Sequence, residues 1–262
     1  MNNYLLAIDV GNSTIVFGLF ENGSLIEKWR IITRKMSADE LGLWLCSAFA
    51  QSSINLDLIE GIVICSVVPS LDTIFNQACK LFLDTEPLFI TAKETADFLP
   101  ISYPKVQQIG ADRLANAVAI YERYKCPVII VDFGTATTFC AVTPESGFLG
   151  GCIVPGVGIS LDALVSKAER LNPVVWEFPR RIIAEDTSDA VRSGVFFGYS
   201  ALVDGVVERM QNELGTKTKV IATGGWADVF FQGAESIDEV IPDLTLEGLR
   251  IIFEKQRHGI SC

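Results

Sequence analysis

Apolar residues along this chain alternate between two patterns, short continuous runs and stretches of helical spacing. A short apolar run bounded by turn residues predicts a buried strand, and a repeat near about 3.6 predicts a helix with one inward face. The runs predict strands at 4–8, 15–20, 25–32, 61–68, 128–131, 138–143 and 220–222. Asn22-Gly23 is a hairpin signal between the second and third of these. Ser37-Ala38-Asp39-Glu40 has the spacing of a capping box and opens a helix with Leu41, Trp44, Leu45, Ala48 and Phe49 on one face. Thr91-Ala92-Lys93-Glu94 repeats that spacing. Further helices are predicted at 71–83, 111–124, 159–171, 187–214 and 246–257, the fourth softened near Gly194 and Gly198. The stretch 100–109 is predicted as loop, and the glycine-rich stretch 147–158 is assigned no element.

Strands followed by helices, twice over, imply an α/β protein of two lobes, each a mixed sheet with helices outside. The expected lobes are 1–115 and 116–262, with the helix at 111–124 linking them and the last helix able to pack back on the first. Two strand ends support a duplication. Leu5-Leu6-Ala7-Ile8 runs into Asp9-Val10-Gly11-Asn12-Ser13-Thr14, and Val128-Ile129-Ile130-Val131 runs into Asp132-Phe133-Gly134-Thr135-Ala136-Thr137. Glycine lets a backbone approach an anion, and the small hydroxyl and amide side chains add donors beside free amides. Either turn alone reads equally well as an ordinary hairpin; the repetition favours a phosphate clamp across a cleft between the lobes. Two carboxylates beside a polyphosphate require a cation. Their hard oxygen ligands suit Mg²⁺ or a monovalent ion rather than zinc.

Composition narrows the chemistry. The 262 residues carry a formal net charge of −11, which argues against nucleic acid as a partner. His258 is the only histidine, so a zinc site or a His-dependent triad is excluded. No Walker-type loop occurs, and Gly156-Val157-Gly158 lacks the third glycine of a dinucleotide fingerprint. None of the seven cysteines forms a Cys-x-x-Cys pair; Cys46, Cys65, Cys126, Cys140 and Cys152 have apolar neighbours and are expected as buried, reduced thiols. No basic-then-apolar leader and no uninterrupted long apolar stretch is visible, so a cytoplasmic protein without a membrane partner is expected.

Gly110-Ala111-Asp112-Arg113 opens the helix at 111–124. Free amides and the helix dipole there favour an ionised Asp112, which predicts a low pKa. An ionised carboxylate facing a hydroxyl can take its proton during phosphoryl transfer, and Arg113 can hold a carboxylate or phosphate charge. Thr223-Gly224-Gly225 after a strand offers backbone against which an adenine could lie flat, or simply a turn.

These pieces, together with Tyr103-Pro104, Gly150-Gly151 ahead of Pro155-Gly156, Thr187 ahead of Ala190, Ser193 and Gly194, and Leu244 ahead of Gly248-Leu249, occur in an order that resembles the type III pantothenate kinases over nearly the whole chain. The resemblance implies two RNase H-like lobes of the actin-like ATPase kind and ATP-dependent phosphorylation of pantothenate, the first step of coenzyme A synthesis. It implies that Asp9, Val10, Gly11, Asn12, Ser13, Thr14, Ile15 and Val16 form the ATP phosphate turn, that Thr135 adds a phosphate contact, and that Asp112 is the base. Tyr103, Gly110, Ala111, Asp112, Arg113 and Thr187 would line the pantothenate pocket, and Asp132 would hold K⁺ or NH₄⁺, with Mg²⁺ arriving on ATP. A homodimer that completes the pocket across its interface is also implied. Alternatives are a sugar or acyl kinase of the same superfamily, or a regulatory nucleotide-binding protein without turnover.

Overall fold

The computed structural model describes residues 4–168 and 174–259. In chain order its elements are β1 (Tyr4–Val10), β2 (Thr14–Glu21), β3 (Ser24–Ile32), α1 (Ala38–Gln51), β4 (Ile59–Ser66), α2 (Pro69–Leu83), β5 (Leu88–Phe89), α3 (Ala92–Thr95) and α4 (Ala111–Arg123). There follow β6 (Val128–Phe133), β7 (Ala136–Thr143), β8 (Gly147–Pro155), α5 (Val157–Lys167), α6 (Thr187–Leu214), β9 (Lys219–Gly224), α7 (Ala227–Phe230), β10 (Glu239–Val240) and α8 (Leu244–Gly259). Single 3₁₀ turns occur at Leu56–Leu58 and Val106–Gln108. The predicted helix at 159–171 is α5, and the part of that prediction beyond residue 168 lies outside the described residues.

The chain divides into two compact units, one of residues 1–123 with 244–262 and one of residues 124–243. The division therefore falls at the end of α4 rather than inside it, and α8 belongs to the first unit. Each unit holds a five-stranded mixed sheet, in the orders β3-β2-β1-β4-β5 and β8-β7-β6-β9-β10. In both, the first strand pairs antiparallel with the next and parallel with the strand that returns after a helix. Asp9 and Asp132 occupy the same place in this plan, near the carboxyl end of the central strand.

In the first unit, Leu6, Ile8, Val10, Phe17, Ile62 and Ile64 present one sheet face to α1 and α2, which bury Leu41, Leu45, Phe49, Phe75 and Cys79 against it. Ser37 caps α1 with the reciprocal bonds of a capping box. Asn22 (φ 50) and Gly23 (φ 80) form the turn joining β2 to β3. The opposite face carries α8, which packs on α4 as well. Glycines allow the approach: a Cβ on Gly61 would sit 2.0 Å from the Phe253 ring, one on Gly18 would sit 2.8 Å from Leu246, and one on Gly248 would sit 1.9 Å from the Ala115 carbonyl oxygen.

In the second unit, Ile129, Val131, Phe133, Phe139, Val220 and Ala222 pack with Phe196, Tyr199, Val203 and Val207 of α6 and Phe230 of α7. By length and composition α6 is the one described helix that could cross a membrane. Its buried positions, Ser193, Phe196, Tyr199, Ser200, Val203 and Val207, recur at helical spacing and face this core. It runs unbroken through Gly194 and Gly198, around which nothing lies within 4 Å of a Cβ added at either position.

Candidate active site

β1 and β4 are parallel neighbours, so their carboxyl ends lie together, with Asp9 opposite Cys65 and Val10 opposite Ser66. Side chains alternate faces along a strand. Ile8 and Val10 enter the core under α1 and α2, so Asp9 and Cys65 project from the other face. The β1–β2 turn is tied down by Thr33, whose hydroxyl donates to the Gly11 carbonyl (2.6 Å) and whose amide donates to the Ser13 carbonyl (3.0 Å). Gly11 donates to the Thr14 carbonyl at 3.1 Å, closing a tight loop whose Asn12 and Ser13 side chains are exposed.

α4 begins immediately after Gly110, whose carbonyl accepts from the Leu114 amide. Asp112 Oδ1 accepts from the Arg113 amide at 2.7 Å, which folds the carboxylate over the helix start. A Cβ on Gly110 would lie only 2.4 Å from that oxygen, so the glycine is what admits this conformation. Asp112 is close enough to Asp9 for the two charges to act on each other.

Burial decides the protonation of both. Loss of solvent, then the neighbouring Asp112, pushes Asp9 from 3.8 up to about 7, against the opposing effects of the Cys65 thiol and the Arg30 charge. Asp112 is raised too: its desolvation outweighs the Arg113 amide and the Arg113 charge, which pull it down. The low value expected from the helix terminus is thus overturned, because the enclosed position removes more water than the amides replace. Arg113 is itself buried, at 9% exposed.

Beside Gly110 and Ala111 opens a groove of about 790 Å³ within the first unit, lined by Val67, Ile90, Lys93, Gln107, Gln108 and Ile109 among others. Of the expected pocket residues it takes Gly110 and Ala111; Tyr103 is half-buried in the loop before α4, and Thr187 is exposed at the first position of α6 in the second unit. The Cys65–Asp9 contact had no motif in the sequence; its only signal was the strand register, which a single sequence does not display.

In the second unit, Asp132 stands opposite Thr138 on β7 and Thr223 on β9. Gly224 (φ 90) passes so close that a Cβ there would be 2.7 Å from Asp132 Oδ1, and one on Gly134 would be 3.7 Å from the same atom. The Gly134 and Thr135 carbonyls face Gly156 at the start of α5, where a Cβ would be 2.7 Å and 2.2 Å away. Tyr199 braces this turn from α6, donating to the Pro155 carbonyl (2.8 Å) and pairing with the Thr137 hydroxyl (2.7 Å). Thr135 is half-buried on the same turn. Among the described residues no three His, Cys, Asp or Glu side chains cluster to hold a metal. Cys46 is half-buried, and the thiols of Cys126 and Cys152 are exposed rather than buried as expected. Cys126 lies in the connection after α4, and Cys152 lies on β8, which has a partner on one side only.

The model of the type III pantothenate kinase family matches residues 5–209. The chain belongs to this family. A type III pantothenate kinase of Desulforapulum autotrophicum is 45% identical over 253 residues, covering 96% of this chain and 97% of that one. One of Syntrophus aciditrophicus is 42% identical over 252 residues, covering 96% and 99%. Among solved structures, a Baf family protein from Campylobacter jejuni superposes with a TM-score of 0.59 at 20% identity, covering 97% of this chain and 99% of the other. Component A of the Acidaminococcus fermentans (R)-2-hydroxyglutaryl-CoA dehydratase gives 0.58 at 12% identity, with the same coverage. At such identities the structural matches establish the fold alone, two mixed sheets flanked by helices.

Proposed function

We propose that this chain transfers the γ-phosphoryl group of ATP to the primary hydroxyl of pantothenate, in the cytoplasm, as the first step of coenzyme A synthesis. The observation that carries the reading beyond family membership is the enclosed Asp112 carboxylate, held over the start of α4 beside the groove at Gly110 and Ala111. A carboxylate raised by burial keeps an abstracted proton better than an exposed one, which suits a general base. Asp112 takes the proton of the alcohol, whose oxygen attacks the γ-phosphorus as ADP leaves. Such transfer is mostly a matter of alignment and charge stabilisation.

In this reading the turn from Asp9 through Val16 receives the triphosphate, with Thr135 adding a phosphate contact. A chain with a net charge of −11 holds ATP through amides and cations rather than through many lysines. Mg²⁺ enters on ATP. Each turn offers a single carboxylate, which fits an ion that keeps its other ligands from phosphate and water. Asp132 is assigned K⁺ or NH₄⁺, for which a hard carboxylate oxygen is a suitable ligand. Tyr103, Gly110, Ala111, Asp112 and Arg113 bind pantothenate, and the partner subunit's Thr187 completes the pocket in a homodimer. The groove's apolar walls with Lys93 and two glutamines at hand suit an acid with an aliphatic middle.

Purified protein assayed with ATP, K⁺ and either pantothenate or a panel of sugars tests the substrate; turnover of sugars alone overturns the reading. Asp112→Asn is expected to lower kcat by about 10²-fold or more with ATP affinity and melting temperature kept. Near-normal turnover in that variant removes Asp112 from the role of base. Asp132→Ala is expected to blunt the activation by K⁺, read as the ratio of rates with and without the ion.

A further inference from the structure

Asp9 and Cys65 are register partners on the two parallel central strands of the first sheet. Partners on neighbouring strands project from the same face. The Cys65 thiol accordingly lies 3.3 Å from Asp9 Oδ1 and donates to it. Among the described residues it is the only hydrogen-bond donor to that side chain. Cys65 is fully buried. Desolvation, followed by the Asp9 and Asp112 carboxyls, drives its thiol well above the ordinary 9.0, so the sulfur stays protonated and remains a donor. The second sheet repeats the placement, with buried Thr223 beside Asp132 on β9. At both strand ends the acidic residue thus has a small neighbour that carries a hydrogen on a heteroatom.

A carboxylate at a strand end swings about two bonds, and each orientation it samples dilutes the one that meets its ligand. A donor fixed on one oxygen removes that freedom and aims the other oxygen. A thiol is also a weak donor, so it withdraws less of the carboxylate's charge than a hydroxyl would. We propose that Cys65 is the positioning residue of the nucleotide turn: its S–H holds Asp9 Oδ1 and so directs Oδ2 toward the cation-bound phosphates. The identity of the ligand rests on the kinase reading above; the contact that does the positioning does not.

The test compares Cys65→Val and Cys65→Ser, each alone and in an Asp9→Asn background, by steady-state kinetics in ATP at saturating pantothenate and by calorimetric titration of Mg-ATP. Val fills similar space in a strand without a donor, and Ser keeps one. Val is expected to raise both the KM and the Kd for Mg-ATP about tenfold, as loss of a hydrogen bond to a charged group would, with kcat within about twofold. Ser is expected to restore both to within about threefold of the parent. With Asn at position 9, Val is expected to add nothing, because coupled neighbours are not additive. An unchanged Kd in Cys65→Val overturns the proposal, and so does an effect that persists undiminished in the Asn background, which marks packing alone. If Val lowers the melting temperature, Cys65→Ala takes its place, and a Kd for Mg-ATP in Cys65→Ala that matches that of Cys65→Ser overturns the proposal. A parent protein that binds Mg-ATP but leaves pantothenate untouched defeats the kinase reading, and the titrations still decide the role of Cys65. A parent that binds no nucleotide defeats both.

Discussion

At Asp112 two ordinary influences oppose each other. A helix N-terminus lowers a carboxyl pKa and burial raises it; the first is visible in the residue order Gly110-Ala111-Asp112-Arg113, and the second requires knowing what surrounds the side chain. Burial prevails at both Asp112 and Asp9. The residue types of the candidate site were therefore legible in the sequence, but their protonation was not. The exposed Cys126 and Cys152 repeat the lesson, since apolar sequence neighbours do not show on which side of a strand or loop a thiol ends. A consequence for stability follows at Asp9. The unfolded chain releases this proton near 3.8, whereas the folded chain keeps it to about 7. The folded state therefore loses stability from this group as pH rises across that interval and bears the full cost above it. Asp9→Asn is expected to raise the melting temperature of the nucleotide-free protein at about pH 8, with less than half that gain at about pH 5. Equal gains at the two pH values would mean that Asp9 does not titrate in this range.

Elements with a plain periodicity were legible, and those built on glycine were not. The stretch 147–158 gave no apolar pattern, yet most of it is β8. Its glycines are there for contact: a Cβ on Gly151 would come within 1.7 Å of the Phe139 carbonyl oxygen on β7. Glycine in a strand often marks such an approach rather than a break. In α6 Gly194 and Gly198 mark neither, since both are exposed and the helix is held by its buried face. Pro69, read as the stop of a strand, is also the first residue of α2, where its missing amide costs no hydrogen bond. The contact between α4 and α8 gives the clearest test at this scale. Gly248→Ala is expected to lower the melting temperature by roughly 3–10 °C, as overpacking of a close helix pair does. An unchanged melting curve would mean that the backbones can separate freely.

For the whole molecule, the repeated Asp-x-Gly turns announced two similar sheets, and both follow one strand plan. The division falls at residue 123 rather than at the expected 115, and the last helix lies with the first unit, a placement the sequence had left open. The first unit closes only with α8, a helix that follows the entire second unit in the chain. Removal of residues 244–262 is therefore expected to leave the first unit unable to fold, seen as loss of soluble protein or of its cooperative melting. A truncated chain that kept a full two-unit melting profile would contradict this. The same wiring bears on biosynthesis. During translation the first sheet emerges early, but the helix that covers one of its faces follows about ten seconds later at ordinary ribosome speeds. Over that interval an apolar surface, with the acidic pair at its edge, stands open on the nascent chain while the second unit is free to fold ahead of it.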